Sequence, residues 1–295
     1  MNRLSPLRPA ESVTIAFLLF LTAVAAFFYK EIPDLQRVIF IYSALVIIQI
    51  TLIHVSKKAA RNGVIDFTAR FVFPVVCVLI IFDSLERIVH YINPRDIDPL
   101  LIRLDYLIFN GYPTVMMESI YNPVVTDILQ ISYTSYYFLP ISLGLILKLK
   151  GMEKEFDRMV FMILFCFYLS YIGYMLFPAL GPRFTLNHLQ SSEIKGLLFA
   201  EPMQRVLNSI EGIKRDAFPS GHTAISLVVL GLAYRYHKAF FYITMPIVVM
   251  LIISTVYCRY HYAVDVIGGI ALAFAAYFIG ERYYDRWEDR NNISH

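Results

Sequence analysis

Residues 239–257 read AFFYITMPIVVMLIISTVY, nineteen positions without one charged side chain. A helix that crosses a bilayer needs about 20 mostly apolar residues, so this stretch is predicted to span a membrane. Windows of the same character flank it at 219–236 and 262–280, and five more precede them at 13–29, 38–55, 69–90, 128–147 and 159–180. The third is the weakest, being charge-free only from Phe71 to Phe82. The whole composition agrees: 58% of the 295 residues are apolar and 17% charged, against roughly 45–50% and ~25% in soluble domains. Mean hydropathy is +0.57. Such a chain cannot cover its surface with polar groups, which excludes a water-soluble globule. The net charge is +3 and no basic block exceeds two adjacent residues, so nucleic acid is not an expected partner. The expectation is an all-α, polytopic membrane bundle of about eight helices. Residues 1–110 would form an N-terminal three-helix segment and 111–295 a second part of one continuous membrane domain.

Lys and Arg bias the short loops. With the N-terminus inside, the inner segments hold Arg3 and Arg8, then Lys57, Lys58 and Arg61, then Lys148, Lys150, Lys154 and Arg158. Arg235 and Lys238 follow, then Arg282, Arg286 and Arg290. Basic inner loops set orientation, so both termini are expected in the cytoplasm. The long loops 91–127 and 181–218 then lie outside. Arg3 and Arg8 before an apolar run, with Ala23-Val24-Ala25 after it, resemble a cleavable leader. The run continues through Phe27, Phe28 and Tyr29, which favours an uncleaved span. Cys77, Cys166 and Cys258 fall in or at the ends of spans and read as buried apolar residues.

Ionisable groups at a membrane mouth are costly and mark function. His222 closes the run Asp216-Ala217-Phe218-Pro219-Ser220-Gly221-His222, and His261 opens His261-Tyr262-Ala263-Val264-Asp265. The two histidines are 39 residues apart, one span down and one span up, so both return to the same mouth. Arg183 shares it, with no span between it and His222. Asp265 lies four residues after His261, one face of a helix, and a carboxylate there can fix the imidazole tautomer. Pro219 suits a first helical turn. Ser220 and Gly221 then offer a helix N-terminus that attracts phosphate. Arg183 and Arg259 can grip phosphate oxygens bidentately. A nucleophile, a proton donor and fixed positive charge are what phosphoryl transfer requires.

These residues resemble the type 2 phosphatidic acid phosphatase (PAP2) superfamily, through Pro219-Ser220-Gly221-His222 followed by His261-x-x-x-Asp265. The resemblance covers roughly 120–282, the last five spans, and makes 111–295 a PAP2-like catalytic core. It implies a phosphohistidine mechanism without metal or other cofactor. His261 would be the nucleophile, Asp265 its orienting carboxylate and His222 the acid for the leaving group. Arg183, Ser220 and Gly221 would bind phosphate. The family's first lysine is absent between 159 and 182, and Thr255 stands where its third motif has arginine. Arg259 stands two before His261 instead, a form similar to the inositolphosphotransferase branch that includes inositol phosphorylceramide synthase. The resemblance implies a lipid-linked phosphate as substrate, with membrane lipids around it, and either hydrolysis or headgroup transfer at an extracytoplasmic site.

Blander readings stand beside these. Cys258, His261, Asp265 and His222 are all possible zinc ligands, without the usual spacing. A transporter could use the same charges as a gate, though transporters place their sites near the midplane. Asp83, Glu86, Arg87 and His90 read as a helix end neutralised by i,i+4 pairs, with a headgroup or acceptor-hydroxyl site as the alternative. The stripe Gln130, Ser132, Thr134, Ser135, Tyr136, Tyr137 reads as interhelical hydrogen bonding, with the lining of a substrate groove as the alternative. Tyr283, Tyr284 and Trp287 read as an interfacial aromatic belt. Loop 184–215 fits either a lid or a helix lying on the leaflet.

Overall fold

The structure, a computed structural model, describes residues 7–58, 63–210 and 214–291; Arg3, Arg61 and His295 lie outside these. All regular structure among the described residues is helical. In chain order the main helices are α1 (Pro9–Phe27), α2 (Leu35–Lys58), α3 (Gly63–Leu85), α4 (Asp98–Phe109), α5 (Pro123–Thr134) and α6 (Leu139–Leu149). Then come α7 (Glu153–Leu176), α8 (Ala200–Ile210), α9 (Gly221–Tyr236), α10 (Lys238–Tyr257) and α11 (Ala263–Asn291).

Six helices, α1, α2, α3, α7, α10 and α11, are long and apolar enough to cross a membrane. The other two expected windows are helical but shorter. The fourth is broken by a 3-10 turn at Ser135–Tyr137 between α5 and α6. Pro140 in the first turn of α6 supplies no N–H and crowds the preceding turn. The sixth, α9, has 16 residues, about 24 Å of helix. Among the described residues six of the eight expected windows thus give helices of spanning length and the other two give shorter ones. α3 also departs from regularity. Thr68–Val72 winds as a π-helix just ahead of Pro74, whose ring excludes the bond from its nitrogen to the Arg70 carbonyl.

α7 is the central post: 67% of its apolar window is buried, against 28–33% in the other five spans. It packs against α1, α3, α6, α9 and α11. Phe17 of α1 stacks on Tyr168 at 4.4 Å, and Thr14 hydrogen-bonds the Tyr168 hydroxyl at 2.9 Å, so the first span is part of the core. Outward faces stay apolar, with Phe40, Leu107 and Phe274 largely exposed, as a lipid-facing surface requires. The three cysteines are free and buried.

One end of the bundle is tied by ion pairs. Arg70 donates to Asp66 at 2.8 Å, to Glu153 at 2.6 Å and to Asp157 at 2.7 Å. Arg158 bonds Glu281 at 2.8 Å and lies 4.5 Å over the Tyr284 ring. Tyr284 is consequently buried and packs between helices, where an interfacial belt was expected. α3 ends at Leu85, so the expected i,i+4 pairs beyond it do not form. Arg87 reaches Asp34 at 3.2 Å instead, and Glu86 accepts the Lys214 amide at 3.1 Å.

Candidate active site

At the opposite end the helix starts and stops build a site. Ser220 is the N-cap of α9, its Oγ accepting from the Thr223 amide at 3.3 Å. Pro219 therefore precedes the cap, where the sequence suggested a first helical turn, and the Phe218–Pro219 bond is cis. The buried Ser220 hydroxyl is engaged with Thr223 and caps its own helix. Gly221 packs so closely under the Tyr174 hydroxyl that a Cβ would collide with it. His222 follows as the second residue of the helix. Its ring is clamped by Tyr133 at 4.3 Å and Tyr136 at 4.2 Å, and meets His261 with centroids 5.8 Å apart at 60°.

His261 sits in the turn between α10 and α11. α10 ends in the double hydrogen bond of a Schellman turn: the Arg259 amide donates to Val256 and the Tyr260 amide to Thr255. The residue that must turn left-handed in this motif is usually glycine. Here it is Arg259, at φ +63. A non-glycine residue in that conformation costs roughly 1 kcal/mol, and such strain gathers at functional sites. The His261 amide also donates to Thr255 at 2.9 Å, which sets the ring inward. Its Nδ1 lies 2.8 Å from the Ala217 carbonyl and 3.5 Å from Asp265 Oδ2. A carbonyl only accepts, so Nδ1 carries the proton and the lone pair is on Nε2. Asp265 caps α11, its Oδ2 accepting the Tyr262 amide at 2.8 Å.

Two aspartates on α4 brace this arrangement, and sequence reading missed both. Asp98 accepts the amides of Leu180 and Gly181 at 2.9 Å each, and the Tyr262 hydroxyl at 2.7 Å. Gly181, at φ +92 with its α-carbon against the Tyr260 carbonyl, makes the turn that carries Arg183. Asp105 accepts the amides of Ala263 and Val264 at 3.1 and 2.8 Å, the first turn of α11. Burial pushes the Asp105 carboxyl up, and these two amides only partly offset it. Asp98 and Asp105 are seven residues apart, two helical turns on one face. The Asp98-Pro99 start followed by Leu100, Leu101 and Leu104 was the available signal.

The arginines gather beside a second space. Arg183 and Arg259 line one polar cavity of about 330 Å³, together with Asn187, Gln190, Lys195 and Gln204. The Arg183 guanidinium lies 5.3 Å over Tyr260, which stacks on Tyr133 at 4.3 Å. Two tyrosine rings thus stand between Arg183 and His222. Arg259 donates to Glu118 at 2.6 Å, and Glu118 also takes the Ser191 hydroxyl at 2.8 Å. Burial pushes the Glu118 carboxyl up, but the Ser191 bonds and the Arg259 charge outweigh it and hold it below the usual range.

Loop 184–215 contains α8. It packs on α5, with Leu207 buried, and contributes Glu201 and Gln204 to the polar cavity. Asp127 pins its approach, accepting the amides of Leu197, Leu198, Phe199 and Ala200 at 2.8–3.0 Å. The polar stripe before α6 divides. Ser132, Thr134 and Ser135 bond their own helix, Gln130 takes the Tyr260 hydroxyl, and Tyr136 and Tyr137 line a cavity. That cavity is apolar, with a volume of about 220 Å³, and has His222 and Asp216 on its wall. Buried polar atoms without a hydrogen bond include His222 Nε2, Asp265 Oδ1 and Gln190 Nε2, three groups of this one region.

The sequence profile of the PAP2 superfamily matches residues 103–279. The chain is 28% identical over 188 residues to a PA-phosphatase related-family protein of Dictyostelium discoideum, covering 56% of this chain and 34% of that protein. It is 27% identical over 210 residues to a phosphoinositol dihydroceramide synthase of Bacteroides thetaiotaomicron, covering 64% of this chain and 68% of that one. The match thus spans about a third of the first relative's length. No solved structure matches significantly.

Proposed function

The chain belongs to the PAP2 superfamily, and on that premise we propose that it cleaves or transfers the phosphoester of a lipid-linked phosphate through a phosphohistidine. The observation that carries this reading is the pair His222 and His261, with rings 5.8 Å apart and the Nδ1 of His261 anchored 2.8 Å from Ala217. That spacing admits phosphorus at about 3–3.5 Å from one ring and its ester oxygen at hydrogen-bond distance from the other.

His261 Nε2 donates its lone pair to phosphorus. The ester P–O bond breaks as protonated His222 gives its proton to the departing oxygen. A second hydroxyl then loses its proton to His222 and attacks phosphorus, the P–N bond breaks, and both histidines are restored. Asp265 steadies the imidazolium formed in between. Arg183 and Arg259 line the polar cavity beside the histidine pair and offer fixed positive charge to the anionic headgroup there; Glu118 engages one nitrogen of Arg259 and leaves other N–H donors of the guanidinium. The first turn of α9 from Gly221 onward adds its dipole, while the Ser220 amide donates to the Asp265 carbonyl at 3.0 Å. Residues 111–295 together with α4 form the catalytic core, and α1, α2 and α3 form a three-helix segment packed against it. The site faces the extracytoplasmic side with both termini cytoplasmic; the basic network of Arg8, Arg70 and Lys148 at the other end of the bundle supports that.

Transfer to an alcohol is the second reading. The polar cavity around Arg183 and Arg259 carries the amides of Asn187, Gln190 and Gln204, groups suited to hydroxyl-rich partners. The synthase among its relatives points the same way. The test is phosphate release in EDTA from a panel of lipid phosphates, beside labelled donor and acceptor lipids, for wild type and His261→Ala. Turnover in wild type alone is expected, as free phosphate or as transferred headgroup. A His261→Ala protein that keeps more than about a tenth of the activity refutes the nucleophile assignment.

A further inference from the structure

The apolar cavity has a shape that phosphoryl chemistry alone does not require. It follows α7 from Tyr174 at the histidine end to Met159, roughly 22 Å at 1.5 Å per residue. Half the hydrocarbon core of a bilayer is about 15 Å, so the cavity passes the midplane. Its ionisable groups, Asp216 and His222, are both at one end, and below them the wall is almost wholly apolar. Leu79 on its rim is 49% exposed on the lipid-facing side of α3, which leaves a lateral way in from the bilayer.

We infer that this cavity holds one hydrocarbon chain of the lipid substrate, and that α3 measures the length of that chain. The inference rests on His222 acting on a lipid phosphate, because the histidine fixes which end of the occupant is the phosphate. α3 supplies Val75, Val78 and Phe82 to the wall, and its π-helical turn sets Phe71 at the floor beside Met159. The floor is firmly backed. Phe71 packs on Phe156 at 5.5 Å, and the Arg70 guanidinium lies 5.2 Å over that same ring. Arg70 is itself bound to Asp66, Glu153 and Asp157. A methyl end that pushed further would have to part a charged network, which is costly. α3 lies outside the region 103–279 shared with the family. Chain-length selection is thus set by a segment in the N-terminal part of this chain.

Two variants test the ruler in opposite directions. Val78→Trp fills the cavity midway and Phe71→Ala lowers its floor. Turnover is measured on dioctanoyl, dilauroyl, dipalmitoyl and distearoyl phosphatidate and on sphingoid-base phosphates of matched lengths. Val78→Trp is expected to lower the long-to-short ratio of kcat/KM by about tenfold or more, since each buried methylene contributes to binding. Phe71→Ala is expected to move the optimum to longer chains. Phe274→Trp, on the exposed face of α11, serves as the control with an unchanged ratio. Opposite shifts cannot come from general destabilisation; a flat or parallel response overturns the ruler. Wild type is also irradiated with a phosphatidate carrying a diazirine midway along one chain, and the adducts are mapped. Adducts on Val78, Val160 or Ile163 support the cavity even if no turnover is found, which would separate it from the catalytic reading. Adducts confined to outward residues such as Phe40 and Phe274 mean annular lipid only and overturn the inference, whatever the activity.

Discussion

The Nδ1 of His261 lies 2.8 Å from the carbonyl oxygen of Ala217 and 3.5 Å from Asp265 Oδ2. The backbone carbonyl, more than the carboxylate, therefore fixes the tautomer of the proposed nucleophile. Asp265 spends its nearer oxygen on the Tyr262 amide as well. This ordering makes the carboxylate helpful and the ring indispensable.

Asp265→Asn should accordingly cost turnover about 10–10²-fold, well short of the 10⁴ seen where a carboxylate alone holds the tautomer. His261→Ala and His222→Ala should each cost about 10³-fold or more. Single-turnover rates on one lipid phosphate give the comparison. Equal losses for Asp265→Asn and His261→Ala would show that the carbonyl does not suffice.

Arg259 holds a left-handed turn that glycine would fill without strain. Arg259→Gly should change unfolding stability by no more than about 1 kcal/mol, relief of the left-handed strain being offset by the backbone entropy of glycine, while activity falls by about tenfold or more. Thermal unfolding in detergent and turnover are measured on the same preparation. A fully active variant would remove Arg259 from the site.

Asp98 and Asp105 each hold two backbone amides of the site. Asp98→Ala and Asp105→Ala leave those donors buried and unpaired, at about 1–3 kcal/mol per group. Both should lower Tm, and hydrogen exchange should rise at Gly181 for the first and at Ala263 and Val264 for the second. Asn replacements, which keep an acceptor, should lose less.

Glu118 titrates below the ordinary carboxylate value of about 4.3 because Ser191 and Arg259 favour its charged form over the cost of burial. A depressed folded pKa contributes stability that is present above the unfolded value and lost as pH falls through the folded one. Wild type should therefore lose Tm below about pH 4.3 more steeply than Glu118→Gln, with the two curves parallel at neutral pH. Identical acid limbs would show that the Glu118–Arg259 contact is not held in solution.

The bundle itself was legible from residues alone. Hydropathy is a sum over neighbours in the chain, so every expected window turned out helical. The two that fell short did so at Pro140 and in the 16 residues of α9, where local breaks shorten a helix without changing its apolar count. The meeting of His222 and His261 followed from their spacing across two spans, because a membrane forces alternate turns onto alternate faces. The sequence by itself thus determined a helical membrane bundle of the PAP2 superfamily with two histidines at one mouth. Only the tertiary structure decided what holds and surrounds them: Ala217 on the imidazole 44 residues away, Asp98 on Tyr262 across 164, and α3 along a cavity ending at His222. A hydrogen bond depends on the position of two atoms to within tenths of an ångström, and residues so distant in the chain reach that position only through the packing of every helix between them.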